Sequence, residues 1–321
     1  MKIVLAGQYP DNTFKKIKQM LSKENYSLVA IEKQDEFDRL TDADIIILRS
    51  FKAPKEIIAN NKHLKMIMRW GTGFDSVDIK AAGIQGVLVT NTPGANSNAV
   101  SELAILLMLA VGRKLLCHID SLREGKWSKN IFLDNSFCMR NKIVGIIGAG
   151  NIGRKVATKA QAFGASTLYY DPFRLSFEKE KEYGLKFMEL PELIATSDII
   201  TLHIPLTNDN KHMIGEPEIA NMKQGAILIN TSRGGLVDDK ALLNAVENGK
   251  LAGAGLDVVE NEPLLESDPL IKNSNIIVTP HIGGGTADIA DAIIPMLVND
   301  IKAHVDGREI EHLVNKEFLK K

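Results

Sequence analysis

The stretch from residue 142 to residue 171, KIVGIIGAGNIGRKVATKAQAFGASTLYYD, constrains the fold of this chain more than any other segment. An apolar, β-branched run leads into the glycine turn GAGNIG at 148–153, a helix-forming segment follows, and a second apolar run stops at Asp171. A strand, a turn, a helix and a second strand in this order, with a carboxylate at the end, predict a βαβ unit that binds a dinucleotide.

Each glycine of this turn has its own expected role. Gly148 permits a tight turn, Gly150 lets a pyrophosphate approach the backbone, and Gly153 lets the helix pack closely on the strand. The N–H groups at the start of the helix favour anionic phosphates. Asp171 stands 18 residues past Gly153, where its carboxylate can accept hydrogen bonds from the ribose hydroxyls of NAD. Because Arg174 lies close by in the sequence, NADP also stays open.

Length and charge limit the remaining possibilities. The chain has 321 residues and a net charge of −1. This length suits two domains of about 100–200 residues each. The near-neutral charge argues against nucleic acid or an anionic membrane as the main partner. The longest apolar run, at 104–111, is far shorter than the roughly 20 residues that span a bilayer.

The N-terminus and the cysteines predict a cytoplasmic protein. The opening residues MKIVLAGQYP enter a strand pattern directly and lack the architecture of a signal peptide. Cys117 and Cys138 are isolated, which is typical of reduced thiols. Neither the cysteines nor any pair of histidines has metal-ligand spacing, so no metal is expected.

Strand and helix patterns alternate both before and after the glycine turn. Before it, a first and smaller α/β unit is predicted, with strands at Lys2–Ala6, Ser27–Ile31, Asp44–Arg49, Leu64–Arg69 and Val87–Thr90 and a helix at Thr13–Ser22. After it, the predicted strands are Ser197–His203, Ala226–Asn230, Gly253–Val258 and Asn275–Thr279, and the predicted helices are Pro191–Thr196, Pro217–Met222 and Asp239–Asn248. This alternation implies a parallel, doubly wound sheet.

Two further helical segments are predicted, one before the glycine turn and one after the last strand. From residue 98 to residue 129 the pattern predicts a long helix followed by polar turns. A last long helix is predicted from about Thr286 to Asp306. If that helix packs on the N-terminal unit, the first domain is discontinuous.

Polar residues and glycines gather where the later strands end. These segments are HIPLT at 203–207, NTSRGG at 230–235, DVVENEP at 257–263 and TPHIGGGT at 279–286. In open α/β sheets, ligands bind beyond the carboxyl ends of the strands. The segments therefore predict a single edge where a cofactor on the glycine turn would lie.

Three of these residues form a coherent set for converting a 2-keto acid into a 2-hydroxy acid and back. Arg233 offers a planar fork that can grip a substrate carboxylate. His281 can give a proton to a carbonyl oxygen, or take one from a hydroxyl, near neutral pH. Glu262 can hydrogen-bond to the other imidazole nitrogen and favour the protonated ring. Taken singly, Arg233 could equally be a surface arginine, and Glu262 could be an ordinary solvated carboxylate.

In combination these segments resemble the D-isomer-specific 2-hydroxyacid dehydrogenases over nearly the whole chain. RWGTGFD at 69–75 and NTPG at 91–94 match further motifs of that family. The resemblance implies an α/β fold in which a doubly wound, parallel-sheet Rossmann domain is inserted into a smaller flavodoxin-like α/β substrate domain. The expected domains are residues 1–98 (first part of the substrate domain), 99–285 (NAD-binding domain) and 286–321 (the C-terminal helix returning to the substrate domain).

The resemblance also implies roles for individual residues. It makes Arg233, Glu262 and His281 the catalytic residues. The residues that it implies for NAD binding are Thr72, Gly148, Gly150, Asn151, Ile152, Gly153, Asp171, His203, Pro205, Thr231, Ser232, Asp257 and Gly283, with Asp257 meeting the nicotinamide carboxamide. Backbone N–H groups from Gly71 to Gly73 are expected to bind the substrate carboxylate together with Arg233.

The leading substrate candidate is 3-phosphoglycerate. LRS at 48–50, with Lys52, resembles the segment that phosphoglycerate dehydrogenases use near the substrate phosphate. Arg49, Ser50 and Arg69 are therefore predicted to bind the substrate. The alternative is that these charges face solvent, which leaves glyoxylate, hydroxypyruvate or a branched 2-keto acid. The regulatory domains of longer phosphoglycerate dehydrogenases, and feedback through them, are not expected.

Departures from the family pattern and other functions stay open. Trp70 is bulkier than the usual small residue, and Ser76 stands where the family often has asparagine, so both could alter the substrate pocket. The alternative from a different class is an NAD-sensing scaffold like the C-terminal-binding corepressors. A formate dehydrogenase is less favoured, because those relatives carry glutamine where Glu262 stands.

The resemblance also implies a homodimer. The family forms dimers through the NAD-binding domain. The helical stretch from Val100 to Leu116, with the arm after it, is the matching segment of this chain. The expected partners are thus a small 2-keto or 2-hydroxy acid and a second copy of the chain.

Overall fold

The computed structural model describes residues 1–22 and 26–319, and within them twelve strands and thirteen α-helices are present. The strands are β1 (Lys2–Ala6), β2 (Ser27–Ile31), β3 (Ile45–Leu48), β4 (Met66–Arg69), β5 (Leu88–Thr90), β6 (Ile143–Ile147), β7 (Ser166–Tyr170), β8 (Lys186–Phe187), β9 (Ile199–Leu202), β10 (Ala226–Asn230), β11 (Leu251–Leu256) and β12 (Ile276–Val278). The helices are α1 (Thr13–Met20), α2 (Gln34–Phe37), α3 (Lys55–Asn60), α4 (Ile79–Gln85), α5 (Ser97–Gly112), α6 (Leu115–Arg123), α7 (Asn151–Ala162), α8 (Phe177–Tyr183), α9 (Leu190–Thr196), α10 (Glu216–Asn221), α11 (Asp239–Glu247), α12 (Pro269–Lys272) and α13 (Ile289–Val305).

The chain divides into two compact units. The first comprises Met1–Asn96 and Gly284–Lys321, and the second comprises Ser97–Gly283. The predicted boundaries, after residues 98 and 285, lie two residues beyond these points. Residues 320–321 of the last predicted segment lie outside the described residues. The second unit is thus inserted into the sequence of the first.

The first unit is built on a parallel sheet with the strand order β2-β1-β3-β4-β5. This is the flavodoxin-like order. Every side chain of β3 is buried, as expected for a parallel strand that is covered on both faces. Ile46 and Leu48 belong to one apolar cluster of this unit, whereas Ile45 and Ile47 belong to a second cluster with residues of α1 and α13.

The second unit is built on a parallel sheet with the order β12-β11-β10-β9-β6-β7-β8. From β6 the chain first runs outward through β7 to β8, then returns to β9 on the other side of β6 and continues outward to β12. The direction therefore reverses between β6 and β9, which is the switch point where a Rossmann fold binds its ligand. The predicted fold, a Rossmann unit inserted into a flavodoxin-like unit, is confirmed.

The long helix predicted from residue 98 is present, but the helical segment before the polar turns is interrupted once. The segment forms two helices, α5 and α6, because Lys114 adopts a left-handed conformation with φ of 51°. The Lys114 ammonium is buried and donates to the carbonyl of Ala252 and, at 2.7 Å, to Asn275 Oδ1. These partners stabilise the turn.

Most of the other predicted elements differ from the structure only at their ends. β1, β2 and β10 have the predicted bounds, and α13 is shorter than predicted, beginning at Ile289 and ending at Val305. β11 begins and ends two residues before the predicted strand. The pair α8 and β8 was not predicted, because a strand of two residues is too short to show a period.

The C-terminal segment after α13 completes the edge of the first sheet beside β5. The Asn315 side chain is fully buried and accepts a hydrogen bond from Val89 N at 2.9 Å. Its amide donates to the Val87 carbonyl, also at 2.9 Å. Asn315 thus does for β5 what a neighbouring strand would do. Among the described helices, none has the length and apolar content needed to cross a membrane.

Replacing Asn315 should weaken the first unit. Asn315→Ala leaves the Val89 N–H and the Val87 carbonyl buried and unpaired, at a cost of about 2–4 kcal/mol. We expect a lower urea midpoint and faster amide hydrogen exchange at Val89. The matched control is Lys316→Ala at the exposed next position, for which we expect a change of less than about 0.5 kcal/mol. Equal losses in the two variants would contradict this role of Asn315.

Candidate active site

The glycine turn after β6 makes two close main-chain approaches. Gly148 has φ of 99°, and a Cβ there would lie 2.5 Å from the His203 carbonyl oxygen. A Cβ on Gly153 would lie 2.0 Å from the Gly148 carbonyl oxygen. At Gly150, by contrast, no atom lies within 4 Å of the position of a Cβ. The turn is therefore closed on the protein side and open on the side where an anionic group would approach.

The carboxylate of Asp171 lies against this turn. Asp171 Oδ2 accepts a hydrogen bond from Ala149 N at 2.9 Å, and Oδ1 accepts one from Phe173 N at 2.8 Å. Asn151 and Ile152 form the first turn of α7, where backbone N–H groups have no intrahelical acceptor. The structure thus brings together the glycine turn, the start of α7 and the acid at the end of β7.

Two buried polar atoms near this edge have no hydrogen-bond partner among the described residues. They are His203 Nδ1 and Thr231 Oγ1. The other ring nitrogen of His203 lies 2.9 Å from Thr201 Oγ1, and burial lowers the pKa of the imidazole to about 3. Buried polar atoms are rarely left unpaired in native proteins. The open face at Gly150 and these two atoms fit a bound dinucleotide with polar groups along its length. Pro205, which follows in the same segment, is exposed.

The loop after β10 fixes the backbone of Arg233 through Asn230. The fully buried Asn230 side chain accepts from Ser232 N at 3.0 Å and donates to the Arg233 carbonyl at 2.8 Å. The Ser232 hydroxyl donates to the Leu202 carbonyl of the neighbouring strand. Asn230 was not among the predicted site residues. Its signal in the sequence is a polar residue at the end of an otherwise apolar strand.

Gly234 lets the segment that carries Glu262 cross directly over this loop. A Cβ on Gly234 would lie 1.8 Å from the carbonyl oxygen of Val259. The same segment is held from its other side, because Glu260 N donates to Asp239 Oδ2 at 2.8 Å. Burial raises the pKa of Asp239 to about 6. Gly234 and Asp239 were not predicted as site residues, since their effect depends on a crossing that the sequence does not show.

His281 and Glu262 form a hydrogen-bonded pair. His281 Nδ1 donates to Glu262 Oε2 at 3.0 Å, with 52% of one side chain and 41% of the other exposed. The hydrogen bond to Glu262 raises the pKa of His281 although burial opposes it. Burial raises the pKa of Glu262, but the hydrogen bond and the charge of His281, the Val259 N–H and the charge of Arg233 together outweigh burial and lower it. The pair therefore favours an imidazolium next to a carboxylate, with Nε2 left to exchange a proton.

Asp257 holds the loop that carries His281. Its carboxylate accepts from the Thr279 hydroxyl at 2.6 Å, from Ile282 N at 2.8 Å and from Gly283 N at 2.8 Å. The backbone N–H of His281 donates to the Asp257 carbonyl at 2.9 Å. His281 itself has φ of 53°, a strained value for a residue with a side chain. The expected contact of Asp257 with nicotinamide stays a prediction.

In the first unit, the loop after β4 presents free backbone donors. Gly71 has φ of 134°, and its N–H donates to Thr92 Oγ1 at 2.9 Å. The Thr72 carbonyl accepts from the Asn91 side chain at 2.7 Å. The N–H groups of Thr72 and Gly73 have no hydrogen-bond acceptor within the part of the chain that the structure describes. Thr72 and Gly73, more than Gly71, are thus able to bind an anionic oxygen.

The guanidinium groups of Arg49 and Arg69 bind main-chain carbonyls of their own unit. Arg69 donates to the carbonyls of Leu48 at 2.7 Å, Arg49 at 2.8 Å and Gly73 at 2.9 Å. Arg49 donates to the carbonyl of Gln8. Both side chains therefore support the loops around them, while Ser50 is exposed.

Trp70 contributes to the core of the first unit. Only 6% of Trp70 is exposed, and its ring meets Tyr9 edge to face at a centroid distance of 5.0 Å. Its bulk is therefore accommodated by the core. The buried hydroxyl of Ser76 has no partner among the described residues.

The predicted site residues are divided between the two units. Arg233, Glu262, His281 and all the predicted NAD-binding residues except Thr72 belong to the second unit, and the remaining predicted substrate residues belong to the first. Across residues 1–22 and 26–319, no three His, Cys, Asp or Glu side chains form a group that could hold a metal ion.

Comparisons of the second unit and of the whole chain with known proteins point to the same family. Residues 105–283 match the family model described as the D-isomer specific 2-hydroxyacid dehydrogenase, NAD binding domain. The chain is 37% identical to a glyoxylate reductase of Thermococcus litoralis, over 99% of this chain and 98% of that protein. It is 38% identical to a D-3-phosphoglycerate dehydrogenase of Archaeoglobus fulgidus, over 84% of this chain. The matched part is only 51% of that relative's length.

A solved structure gives the same result. The crystal structure of a glyoxylate reductase from Paecilomyes thermophila superposes with a TM-score of 0.86 at 31% identity, and the match covers 99% of both chains. The similarity therefore extends over both units and over the segments that carry the candidate site.

Removing the charge of Glu262 should lower the pH at which the proton donor is lost. Because Glu262 raises the pKa of His281, the imidazolium survives to higher pH in the parent chain than in Glu262→Gln. We expect the alkaline limb of keto-acid reduction, measured as kcat/KM, to move to lower pH in Glu262→Gln. The His281 ring resonances should titrate at lower pH to the same extent.

The matched control for this prediction is Glu266→Gln. Glu266 is exposed and lies four residues further along the chain. This variant should keep the parent profile. An unmoved alkaline limb in Glu262→Gln would show that Glu262 does not tune His281.

Proposed function

Because the chain belongs to the D-isomer-specific 2-hydroxyacid dehydrogenases, we propose that it reduces a small, unphosphorylated 2-keto acid to the D-2-hydroxy acid. Glyoxylate and hydroxypyruvate are the first candidates. The observation that carries this proposal is that Arg69 donates to main-chain carbonyls and Arg49 donates through Nη1 to the Gln8 carbonyl, so both guanidinium groups support the loops of their own unit. The full-length similarity to a glyoxylate reductase supports it. The chain is an NAD-dependent dehydrogenase, so the alternative of a scaffold that only senses NAD is not retained.

The second unit supplies the acid and the carboxylate-binding group of this reaction. NAD provides the hydride chemistry. Arg233 grips the substrate carboxylate and so orients the keto carbon. His281 donates its Nε2 proton to the keto oxygen as the alcohol forms, and takes it back in the reverse direction. Glu262 holds the imidazole by Nδ1 and stabilises its charged form.

In the first unit we assign an anion-binding role to the loop after β4. The unpartnered N–H groups of Thr72 and Gly73 suit a carboxylate oxygen of the substrate. Holding a small substrate at fixed points can contribute up to about 7–11 kcal/mol through orientation. A substrate as small as glyoxylate offers little else to bind, so its carboxylate is the main source of that orientation.

The second candidate substrate is the phosphorylated keto acid related to 3-phosphoglycerate. It is favoured by the similarity to a D-3-phosphoglycerate dehydrogenase and by the positive charges of Arg49 and Lys52 near the end of β3. Arg49 holds the Gln8 carbonyl through Nη1 alone, so its other guanidinium nitrogens are the ones that would meet such a phosphate.

A cytoplasmic location stays a prediction from the sequence.

A substrate panel tests this proposal directly. NADH oxidation with glyoxylate, hydroxypyruvate and 3-phosphohydroxypyruvate should give a higher kcat/KM for the two unphosphorylated acids. Arg233→Gln removes two charged hydrogen bonds to the carboxylate, so kcat/KM should fall about 10²- to 10⁴-fold for every member of the panel. The control is Arg140→Gln, a change at an exposed arginine of the same unit, which should leave the panel unchanged.

Two results would overturn parts of this proposal. A strong preference for 3-phosphohydroxypyruvate that is lost in Arg49→Gln would make the phosphorylated acid the substrate. Normal turnover by Arg233→Gln would remove Arg233 from the mechanism.

We also propose that the chain forms a homodimer through the second unit. Apolar side chains are exposed along the segment 115–133, with Trp127 80%, Leu133 66% and Ile131 54% exposed. Patches of this kind mark protein–protein interfaces. A cavity of about 410 Å³ lies in the same segment, lined by Phe132 and Leu133 and by the cationic Arg113. In a twofold dimer the same surface of a second copy would cover it.

A charge placed in this segment should separate the protomers. The parent chain should have twice the mass of 35.3 kDa by size-exclusion chromatography with light scattering. Leu133→Asp should shift it towards the monomer, because a carboxylate would be buried in an apolar interface. Phe177→Asp is the control, since Phe177 is 75% exposed but lies outside the segment. A parent chain that is monomeric at micromolar concentration would refute the dimer.

A further inference from the structure

The sequence leaves the choice between NAD and NADP to two neighbouring residues of opposite charge. In Rossmann domains an acid at the end of the second strand binds the ribose hydroxyls of NAD, whereas a nearby arginine accommodates the 2′-phosphate of NADP. This chain has both, Asp171 directly after β7 and Arg174 three residues later. Which of the two acts therefore depends on where the arginine is held.

Arg174 is held by Glu180 of α8. Arg174 Nε donates to Glu180 Oε1 at 2.8 Å, and Nη2 donates to Oε2 at 3.3 Å. The guanidinium also lies over the ring of Phe187 in β8, with 4.8 Å between its carbon and the ring centroid. The Nε–Nη2 edge of the guanidinium faces a carboxylate, in the paired geometry that would otherwise bind a phosphate.

Glu180 is itself fixed to the interior of the second unit. Its side chain is only 12% exposed, and its Oε1 also accepts a hydrogen bond from the Tyr169 hydroxyl at 2.8 Å. Tyr169 is fully buried in β7, and its hydroxyl accepts from Leu175 N at 3.0 Å. The hydrogen bond from Arg174 lowers the pKa of Glu180 and so keeps its carboxylate charged. The carboxylate is thus not free to follow Arg174 towards a ligand.

We propose that Glu180 is a second specificity-determining residue for the cofactor, because it occupies the Nε–Nη2 edge of Arg174 and holds that guanidinium away from a 2′-phosphate. The proposal rests on the proposed role of Asp171 as the acid that meets the adenosine ribose. Asp171 disfavours the phosphate by repulsion, and Glu180 removes the cation that would compensate it.

The cost of releasing Arg174 from Glu180 explains how Glu180 disfavours the binding of NADP. To present the same edge to a 2′-phosphate, Arg174 would have to leave Glu180, which would keep only the hydrogen bond from the Tyr169 hydroxyl. Giving up this paired, charge-assisted contact has a cost, which solvent screening reduces because the Arg174 side chain is 60% exposed. NAD has no 2′-phosphate and demands no such release. Asp171 and Glu180 therefore both oppose NADP by different physical means.

A double-mutant cycle in direct binding tests the proposal without turnover. Asp171→Ser, Glu180→Gln and the double variant are titrated with NADH and with NADPH, and dissociation constants are obtained from cofactor fluorescence. Glu180→Gln keeps an acceptor for the Tyr169 hydroxyl but loses the charge that holds Arg174. We expect Asp171→Ser to weaken NADH binding. We expect the double variant to bind NADPH about tenfold or more tighter than Asp171→Ser, the gain typical of a charge-assisted hydrogen bond.

Two control variants separate release of Arg174 from a general change in charge. Glu178→Gln alters an exposed glutamate two residues earlier on α8 and, in the Asp171→Ser background, should leave NADPH binding unchanged. Adding Arg174→Met to the double variant should abolish the NADPH gain. A gain that persists without Arg174 would overturn the proposal.

One further comparison keeps the test valid if Glu180→Gln folds poorly, as judged by its melting temperature. Arg174→Met in the Asp171→Ser background, with Glu180 intact, should leave NADPH affinity unchanged because the guanidinium is already withheld. A loss of NADPH affinity there would overturn the proposal while leaving the role of Asp171 intact. If Asp171→Ser does not weaken NADH binding, the placement of the adenosine ribose is wrong, and the role of Glu180 is wrong with it.

Discussion

The close passage of main-chain segments at the carboxyl edge of the second sheet is the constraint on which the candidate site depends. Gly153 packs under the carbonyl of Gly148, and Gly234 packs under the carbonyl of Val259, at distances that no Cβ could tolerate. The first contact sets the start of α7 against the glycine turn, and the second sets the Glu262 segment against the loop of Arg233. The positions of the reactive groups therefore follow from the absence of side chains beside them.

The proposed proton-transfer pair shows why such rigid backbone support matters. Both side chains of the pair His281–Glu262 are about half exposed, so solvent screens their attraction, and their charge pairing contributes little to stability. The backbone that carries the imidazole is fixed by its loop, which Asp257 holds with three hydrogen bonds to one carboxylate. The buried carboxylate fixes the position of His281, and the exposed carboxylate of Glu262 sets its protonation. Separating these tasks lets the ring stay in contact with ligand and solvent.

The sequence was sufficient wherever the determinant is local. The βαβ pattern around the glycine turn depends on neighbouring residues and predicts the dinucleotide-binding unit, and the family follows from this pattern in combination with the other local motifs. The interruption at Lys114 does not, because its ammonium bonds to Ala252 and Asn275, more than a hundred residues away in the sequence. The position of Trp70 in the core does not follow from local sequence either. Trp70 packs in one cluster with residues of α13, and the alternation of side chains along β4 does not reveal which face that helix covers. Long-range partners of this kind leave no periodic signal.

Arginines near the predicted anion sites illustrate the same limit in electrostatic terms. Arg49, Arg69 and Arg174 all stand where a phosphate could be expected, yet in the structure each guanidinium binds an internal acceptor, which is a carbonyl for the first two and the Glu180 carboxylate for the third. How readily a basic residue binds an anion therefore depends on how many of its donors are already used and on the acceptors that use them. Release from a carbonyl leaves a neutral dipole, whereas release from Glu180 gives up a paired contact between two charges. The first two arginines could thus be recruited by a ligand at lower cost than Arg174, so cofactor choice is the more firmly fixed of the two specificities.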